Sequence, residues 1–138
     1  MNAPLRLAAA AALALSAGGC FDPKVRDELL FAVRDFNEGL RWGHIEQSAS
    51  HLPLEARKQF ADRFTPLEDE LEIVDLDVQR MELSPDKKSA DVRLDVTWSL
   101  KRRGLVERTI VQQVWEKRGG WVLTKQARLK GSPLALVD

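Results

Sequence analysis

The chain has 138 residues, of which 44% are hydrophobic, and it carries 21 basic and 21 acidic side chains. This length suits a single domain with a modest core, and the hydrophobic content excludes an intrinsically disordered chain. The formal charge of zero gives no global attraction to nucleic acid, so we expect no nucleic-acid partner. Partners must therefore be inferred from local features.

The N-terminal segment has the order of an export signal. Arg6 supplies positive charge, residues 7–15 form an uninterrupted apolar run of nine, and the small residues 16–19 follow. This run is less than half of the roughly 20 residues that a bilayer-spanning helix needs, which indicates a cleaved signal. Two alternatives stay open, namely an ordinary secretory signal that leaves a free thiol and a buried apolar helix.

The end of this segment resembles the lipobox of bacterial lipoproteins, in which small residues precede a cysteine that is acylated before cleavage. Residues 15–20 read LSAGGC, and Cys20 is the only cysteine of the chain. Ala17 stands where the family pattern prefers Leu, while Gly18 and Gly19 match it.

The resemblance implies a signal peptide over residues 1–19 and a lipid, such as palmitate, on Cys20. Residues 20–138 would then form one membrane-tethered domain of the cell envelope that faces the periplasm. In bacteria that sort lipoproteins by the next position, Asp signals inner-membrane retention. Phe21 therefore favours the outer membrane.

A helical region is predicted from residue 22 to residue 67. Asp22 and Pro23 suit the N-cap and the first helical position. Apolar residues then recur every three or four positions, as in one stripe of an α-helix. They are Val25, Leu29, Ala32, Val33, Phe36 and Leu40. Gly43 is expected to end this helix, with Trp42 closing the core.

Two shorter helices are predicted next, over residues 45–52 and 54–64. Pro53 separates them, and Pro66 prevents the second from continuing.

From Leu71 the apolar period changes to two, which is typical of strands. A phase slip after Ile73 predicts a β-bulge. Residues 84–87 form a turn, and the next strand, residues 90–101, has one apolar and one polar face. Two further strands are predicted over residues 105–117 and 121–129, with Gly119 and Gly120 as a hairpin.

Helices followed by about four antiparallel strands define an α+β fold. Residues 36–43 (FNEGLRWG), Thr97-Trp98, residues 111–115 (VQQVW) and Trp121 together resemble the nuclear-transport-factor-two-like (SnoaL-like, cystatin-like) domains. The resemblance implies a cone-shaped domain in which N-terminal helices pack on a curved antiparallel sheet. Such domains host isomerases, hydratases, subunit-docking domains and ligand binders, so fold alone does not assign function.

A candidate pocket follows from this fold. Trp98, Gln113 and Trp115 would line the cone as a mostly apolar site with one orienting amide. No catalytic residues are assigned, and the chain contains no tyrosine. We therefore favour a protein that is not an enzyme.

The histidines do not form a metal site on their own. His44 and His51 are seven residues apart and would share a face of a helix, but two histidines are an incomplete ligand set. We interpret them as exposed or capping residues, with general-base work as an alternative, and expect no metal and no cofactor.

Two charged clusters have alternative interpretations. The acidic run of residues 69–77 is a solvated strand face, a divalent-cation site or a docking patch for a basic partner. Residues 101–103 (KRR) are a charged turn that protects a sheet edge, or a contact for anionic headgroups.

The leading hypothesis is a membrane-tethered, non-enzymatic domain that binds a small apolar ligand or an envelope protein. The first alternative is an acid–base enzyme that uses the cone and requires a buried carboxylate. The second is a structural subunit that forms a homodimer through the sheet. Apolar residues on both faces of residues 105–115 favour such pairing.

Overall fold

A computed structural model describes residues 22–137 of the protein. The predicted signal peptide, Cys20 and Phe21 therefore lie outside the described residues. Residues 22–137 form three helices, one 3-10 turn over Thr65–Leu67, and four strands. They are α1 (Pro23–Trp42), α2 (Ile45–Ala49), α3 (Leu54–Phe64), β1 (Leu71–Leu83), β2 (Ser89–Leu100), β3 (Val106–Arg118) and β4 (Gly120–Gly131). The predicted α+β fold is confirmed.

Helix α1 begins and ends where its sequence predicts. The Asp22 side chain accepts a hydrogen bond from the Lys24 backbone N–H at 3.2 Å, and Pro23 follows. Gly43 adopts a left-handed φ of 71°, which ends the helix. No helix within residues 22–137 is both long and apolar enough to cross a bilayer.

The expectation that Trp42 closes the core is wrong, because Trp42 is 66% exposed. The buried stripe of α1 ends at Leu40, which packs into the core. Two residues further along the chain, the helix has turned by about 200°, so Trp42 points away from the sheet.

Helix α2 is shorter than predicted, since it ends at Ala49 rather than at residue 52. It packs tightly on α1 at Gly39. The Ser48 hydroxyl donates to the Phe36 carbonyl at 2.6 Å, and both Ser48 and Gly39 are buried. The absence of a side chain at Gly39 lets the two backbones approach closely.

Substitution Gly39→Ala is expected to destabilise the domain by about 1–3 kcal/mol, because overpacking a tight contact outweighs the gain in helix propensity. A Cβ atom at Gly39 would lie 2.2 Å from Ser48 Oγ and 3.0 Å from its backbone nitrogen. The measurement is chemical denaturation. Gly120→Ala is the matched control, since a Cβ there meets nothing within 4 Å; equal effects of the two variants would contradict the close approach.

The four strands form one antiparallel sheet in the order β1-β2-β3-β4. The predicted bulge after Ile73 is confirmed, since the β1–β2 register shifts between Ile73 and Asp75. A second shift follows Val78, and the β3–β4 pair carries two more. Bulges bend strands and increase their twist, so the sheet curves around α1.

The core lies between α1 and the concave face of the sheet. Phe36 of α1 meets Phe60 of α3 at 5.8 Å between ring centroids and Trp115 of β3 at 6.0 Å. The chain after β4 also contributes, because Leu134 and Leu136 are buried. The sequence pattern did not predict this C-terminal contribution.

Candidate functional site

The three predicted pocket residues lie on the concave face of the sheet and are buried there. Trp98 is 5% exposed, and Gln113 and Trp115 are 0% exposed. The Trp98 indole N–H donates to the Thr109 hydroxyl at 2.9 Å, and that hydroxyl donates to the Ser132 carbonyl at 2.6 Å. The hydrogen bonds of Trp98 are therefore separate from those of Gln113 and Trp115.

Gln113 and Trp115 belong to a buried polar cluster. The Trp115 indole N–H donates to Gln113 Oε1 at 3.1 Å. The Gln113 amide donates to Asn37 Oδ1 at 3.2 Å and to Gln126 Oε1 at 2.9 Å. The Asn37 amide in turn donates to the Val33 carbonyl at 2.7 Å. These buried polar groups hydrogen-bond to one another, and a ligand role for the three residues stays a prediction.

A groove opens beside this cluster, between α1 and β1. Its volume is about 320 Å³, which is within the range of small-molecule sites. The apolar part of its lining comes from both elements and consists of Leu30, Leu76, Val78 and Met81. Asn37 lines the groove as well, so the groove reaches the buried cluster.

Arginines dominate the charge of the groove. Its lining contains four arginines and two carboxylates, which are Arg26, Arg34, Arg41, Arg80, Glu38 and Asp77. Three of these arginines belong to α1. Arg34 follows Arg26 by eight residues and Arg41 follows Arg34 by seven, which places all three on one side of the helix. Arg41 is held in place because its guanidinium donates to the Val74 carbonyl at 2.8 Å.

Sequence reasoning missed these arginines. Their spacing repeats at about two helical turns, which is the signal that marks a common face. Without the position of β1, however, the same spacing is typical of an ordinary solvated face.

The two histidines do not share a helix face, and that expectation is wrong. His44 is the N-cap of α2, while His51 lies beyond the end of α2 at Ala49. His51 Nε2 lies 2.6 Å from Asp35 Oδ2, and Gln47 donates to Asp35 Oδ1 at 3.0 Å. Within residues 22–137, no group of three metal-binding side chains comes together.

The acidic run and the basic turn lie at the sheet end where α1 finishes. Leu71 at the start of β1 pairs with Leu100, and Glu70 forms an ion pair with Arg102 of the basic turn. Cys20 precedes the other end of α1, and a helix of this length spans about 30 Å. The basic turn therefore lies at the opposite end of α1 from the N-cap, Asp22.

The convex face of the sheet mixes apolar and charged residues. Ile110 and Val114 are half-buried there, and Arg108 forms an ion pair with Asp95 across the neighbouring strand. The hydrogen bond from the Arg108 guanidinium holds the pKa of the Asp95 carboxyl below its usual range. Pairing of two copies through this face stays a prediction.

Three solved structures have a similar fold. A SEC-C motif containing protein from Rhodopseudomonas palustris matches with a TM-score of 0.61 and 13% identity, over 83% of this chain and 96% of that one. A nuclear-transport-factor-two-like protein of unknown function from Shewanella oneidensis matches with a TM-score of 0.55 and 14% identity, over 78% and 98%. The intermembrane space region of the chloroplast protein ARC6 matches with a TM-score of 0.51 and 17% identity, over 81% and 98%.

Sequence comparison adds no family. No protein-family model matches the chain, and no curated protein matches it. At these identities the structural similarity establishes the fold alone. The chain is an α+β protein with the nuclear-transport-factor-two-like fold.

Proposed function

We propose that the protein is a lipid-anchored envelope domain that binds an anionic amphiphile in the groove between α1 and β1. The observation that carries this proposal is the groove itself, in which four arginines border an apolar lining. No reaction is part of the proposal.

The composition of the groove selects the class of ligand. Guanidinium groups form strong charge-assisted hydrogen bonds with carboxylates and phosphates. Leu76, Val78 and Met81 offer an apolar surface that an acyl or alkyl chain would cover. A ligand with both an anionic head and an apolar chain contacts both parts of the groove, whereas a purely apolar ligand contacts only the apolar lining.

The lipid anchor is supported by the lipobox at residues 15–20 and by Cys20 as the only cysteine. An unpaired cysteine is unusual in a protein that is exported into an oxidising compartment, and acylation removes its free thiol. Two or more acyl chains hold a protein stably at a membrane, whereas one holds it only marginally. Phe21 favours attachment to the outer membrane, on its periplasmic side.

The enzyme alternative has less support from the described residues. Acid–base chemistry in the cone requires a carboxyl group whose pKa is raised by burial. The buried polar side chains within residues 22–137 are Asn37, Ser48, Thr109 and Gln113, which are amides and hydroxyls. These groups orient a ligand more readily than they transfer protons at neutral pH.

Titration with octyl phosphate tests the ligand class. The protein is held in nanodiscs of zwitterionic lipid, and calorimetry is corrected with empty nanodiscs. We expect saturable binding of one octyl phosphate per chain. Replacement of the exposed Arg34 by Gln should weaken it roughly tenfold, as expected for the loss of one charge-assisted hydrogen bond.

Arg93→Gln is the matched control, because Arg93 is also exposed but lies on β2, outside the lining of the groove. This variant should bind octyl phosphate like the unaltered protein, and octylamine should bind neither protein. Equal weakening by Arg34→Gln and Arg93→Gln, or the absence of saturable binding, would contradict the proposal.

A further inference from the structure

Two large aromatic side chains are exposed on the outer side of α1. Phe31 is 68% exposed and Trp42 is 66% exposed. They are eleven residues apart, so they lie within about 20° of each other around the helix and about 16 Å apart along it. Exposed aromatics aligned on one helix face indicate an interaction surface rather than a folding contact.

The surroundings of these rings are amphipathic. The Arg41 guanidinium lies 5.2 Å from the centre of the Trp42 ring. Charged residues of both signs share the outer side of α1, where Lys24 and Arg34 lie among Asp27, Glu28, Asp35 and Glu38. Trp beside a basic side chain is typical of residues at a membrane interface, where the ring contacts the lipid and the cation stays hydrated.

The position of the anchor determines what lies next to this face. Only Phe21 separates Cys20 from Asp22, the N-cap of α1. Two residue steps of extended chain span at most about 7 Å, so the helix begins next to the acylated cysteine. Acylation of Cys20 would therefore hold the N-terminal end of α1 at the bilayer surface.

We propose that α1 lies flat on the bilayer that holds Cys20, with Phe31 and Trp42 at the level of the lipid headgroups. This inference rests on the proposed lipid anchor. Because the outer face carries no excess of positive charge, contact does not require anionic lipid. Arg34 belongs both to the outer face of α1 and to the lining of the groove, so an amphiphile reaches the groove from the membrane surface.

Fluorescence quenching by brominated lipids tests this orientation. Trp42 is a suitable reporter, because Trp98, Trp115 and Trp121 are all buried. The full chain, processed in cells, is reconstituted in zwitterionic vesicles whose phospholipids carry bromine close to the headgroup. We expect a blue-shifted emission component that the brominated lipid quenches at least twofold, and its loss in Trp42→Phe.

Two further variants probe the surface. Phe31→Ser should reduce the quenching of Trp42, because it removes half of the aromatic contact. Leu105→Ser is the matched control, since Leu105 is 61% exposed but belongs to the turn between β2 and β3 rather than to α1, and it should leave the quenching unchanged. Equal reductions by the two variants would overturn the proposal.

The intact mass of the same preparation distinguishes a failure of the lipid anchor from a failure of the flat orientation of α1. An acylated protein whose Trp42 is not quenched overturns the flat orientation and leaves the anchor in place. An emission shift without bromine quenching, which indicates contact between copies, overturns it as well. A mass without acyl groups overturns the anchor and this inference together.

Discussion

Replacement of Trp115 by Ala is expected to destabilise the domain by about 3–5 kcal/mol, as is usual when a large aromatic side chain is removed from a core. The Trp115 ring is fully buried and meets the edge of Phe36 at 85° between ring planes. Its other neighbour is the His51 ring, at 6.1 Å. The packing of β3 against α1 and against the turn after α2 therefore depends on this side chain.

Urea denaturation followed by circular dichroism measures the loss. Trp42→Ala is the matched control, because it removes the same side chain from a site that is mostly exposed. An exposed substitution should change the free energy of unfolding by no more than about 0.5 kcal/mol. Similar losses for the two variants would contradict the assignment of Trp115 to the core.

Replacement of Gln113 by Leu is expected to destabilise the domain by about 2–4 kcal/mol, since it leaves several buried polar groups without partners. Asn37, Gln126 and the Trp115 indole all hydrogen-bond to Gln113. The lost hydrogen bonds are what lowers the free energy of unfolding, because Leu itself is compatible with a buried strand position. Thermal and chemical denaturation measure the change.

The double variant Asn37→Leu with Gln113→Leu measures the interaction energy between these two side chains. Asn37 and Gln113 share two contacts, at 3.2 and 3.4 Å, so removing both residues should cost less than the sum of the single losses. A coupling energy of about 0.5–3 kcal/mol is expected for side chains in direct contact. Strict additivity would show that the pair does not act as a unit.

Local signals allowed much of the fold to be predicted. Asp22, Pro23 and Gly43 define the ends of α1 through side-chain capping and a left-handed φ, both of which are properties of single residues. The phase slip after Ile73 predicts the β1 bulge, because inward and outward positions alternate strictly along a strand.

Features that depend on tertiary packing were not predictable in the same way. The contact between His51 and Asp35 joins residues that are 16 positions apart, one in the turn after α2 and the other in α1. Leu134 and Leu136 follow the last strand without a periodic pattern, although both are buried. Trp42 was misassigned because proximity to an apolar stripe was given more weight than its angle around the helix.

The candidate site illustrates the same limit. The alternation of β2 and β3 places Trp98, Gln113 and Trp115 on the inner face, but alternation does not indicate whether the space between them is empty. That depends on volumes contributed by α1 and α3. The groove lies instead where the bulged strand β1 passes α1, and Arg34 and Arg41 become part of a site only through that neighbour.

The groove and the aromatic face of α1 have one common element, the helix that begins next to Cys20. If Cys20 carries lipid, both surfaces lie at the membrane, and the ligand class that the arginines favour is available there. If Cys20 is free, the groove requires a soluble ligand and Phe31 and Trp42 require another partner. The chemical state of Cys20 therefore decides whether the groove and the aromatic face of α1 act at the membrane.

The most direct measurement is the intact mass of the protein extracted from bacterial membranes. We expect a chain that begins at Cys20 and carries the added mass of acyl groups, and we expect the Cys20→Ser variant to keep residues 1–19. A mature chain with a free Cys20 thiol, or normal cleavage of the Cys20→Ser variant, would contradict the lipid anchor.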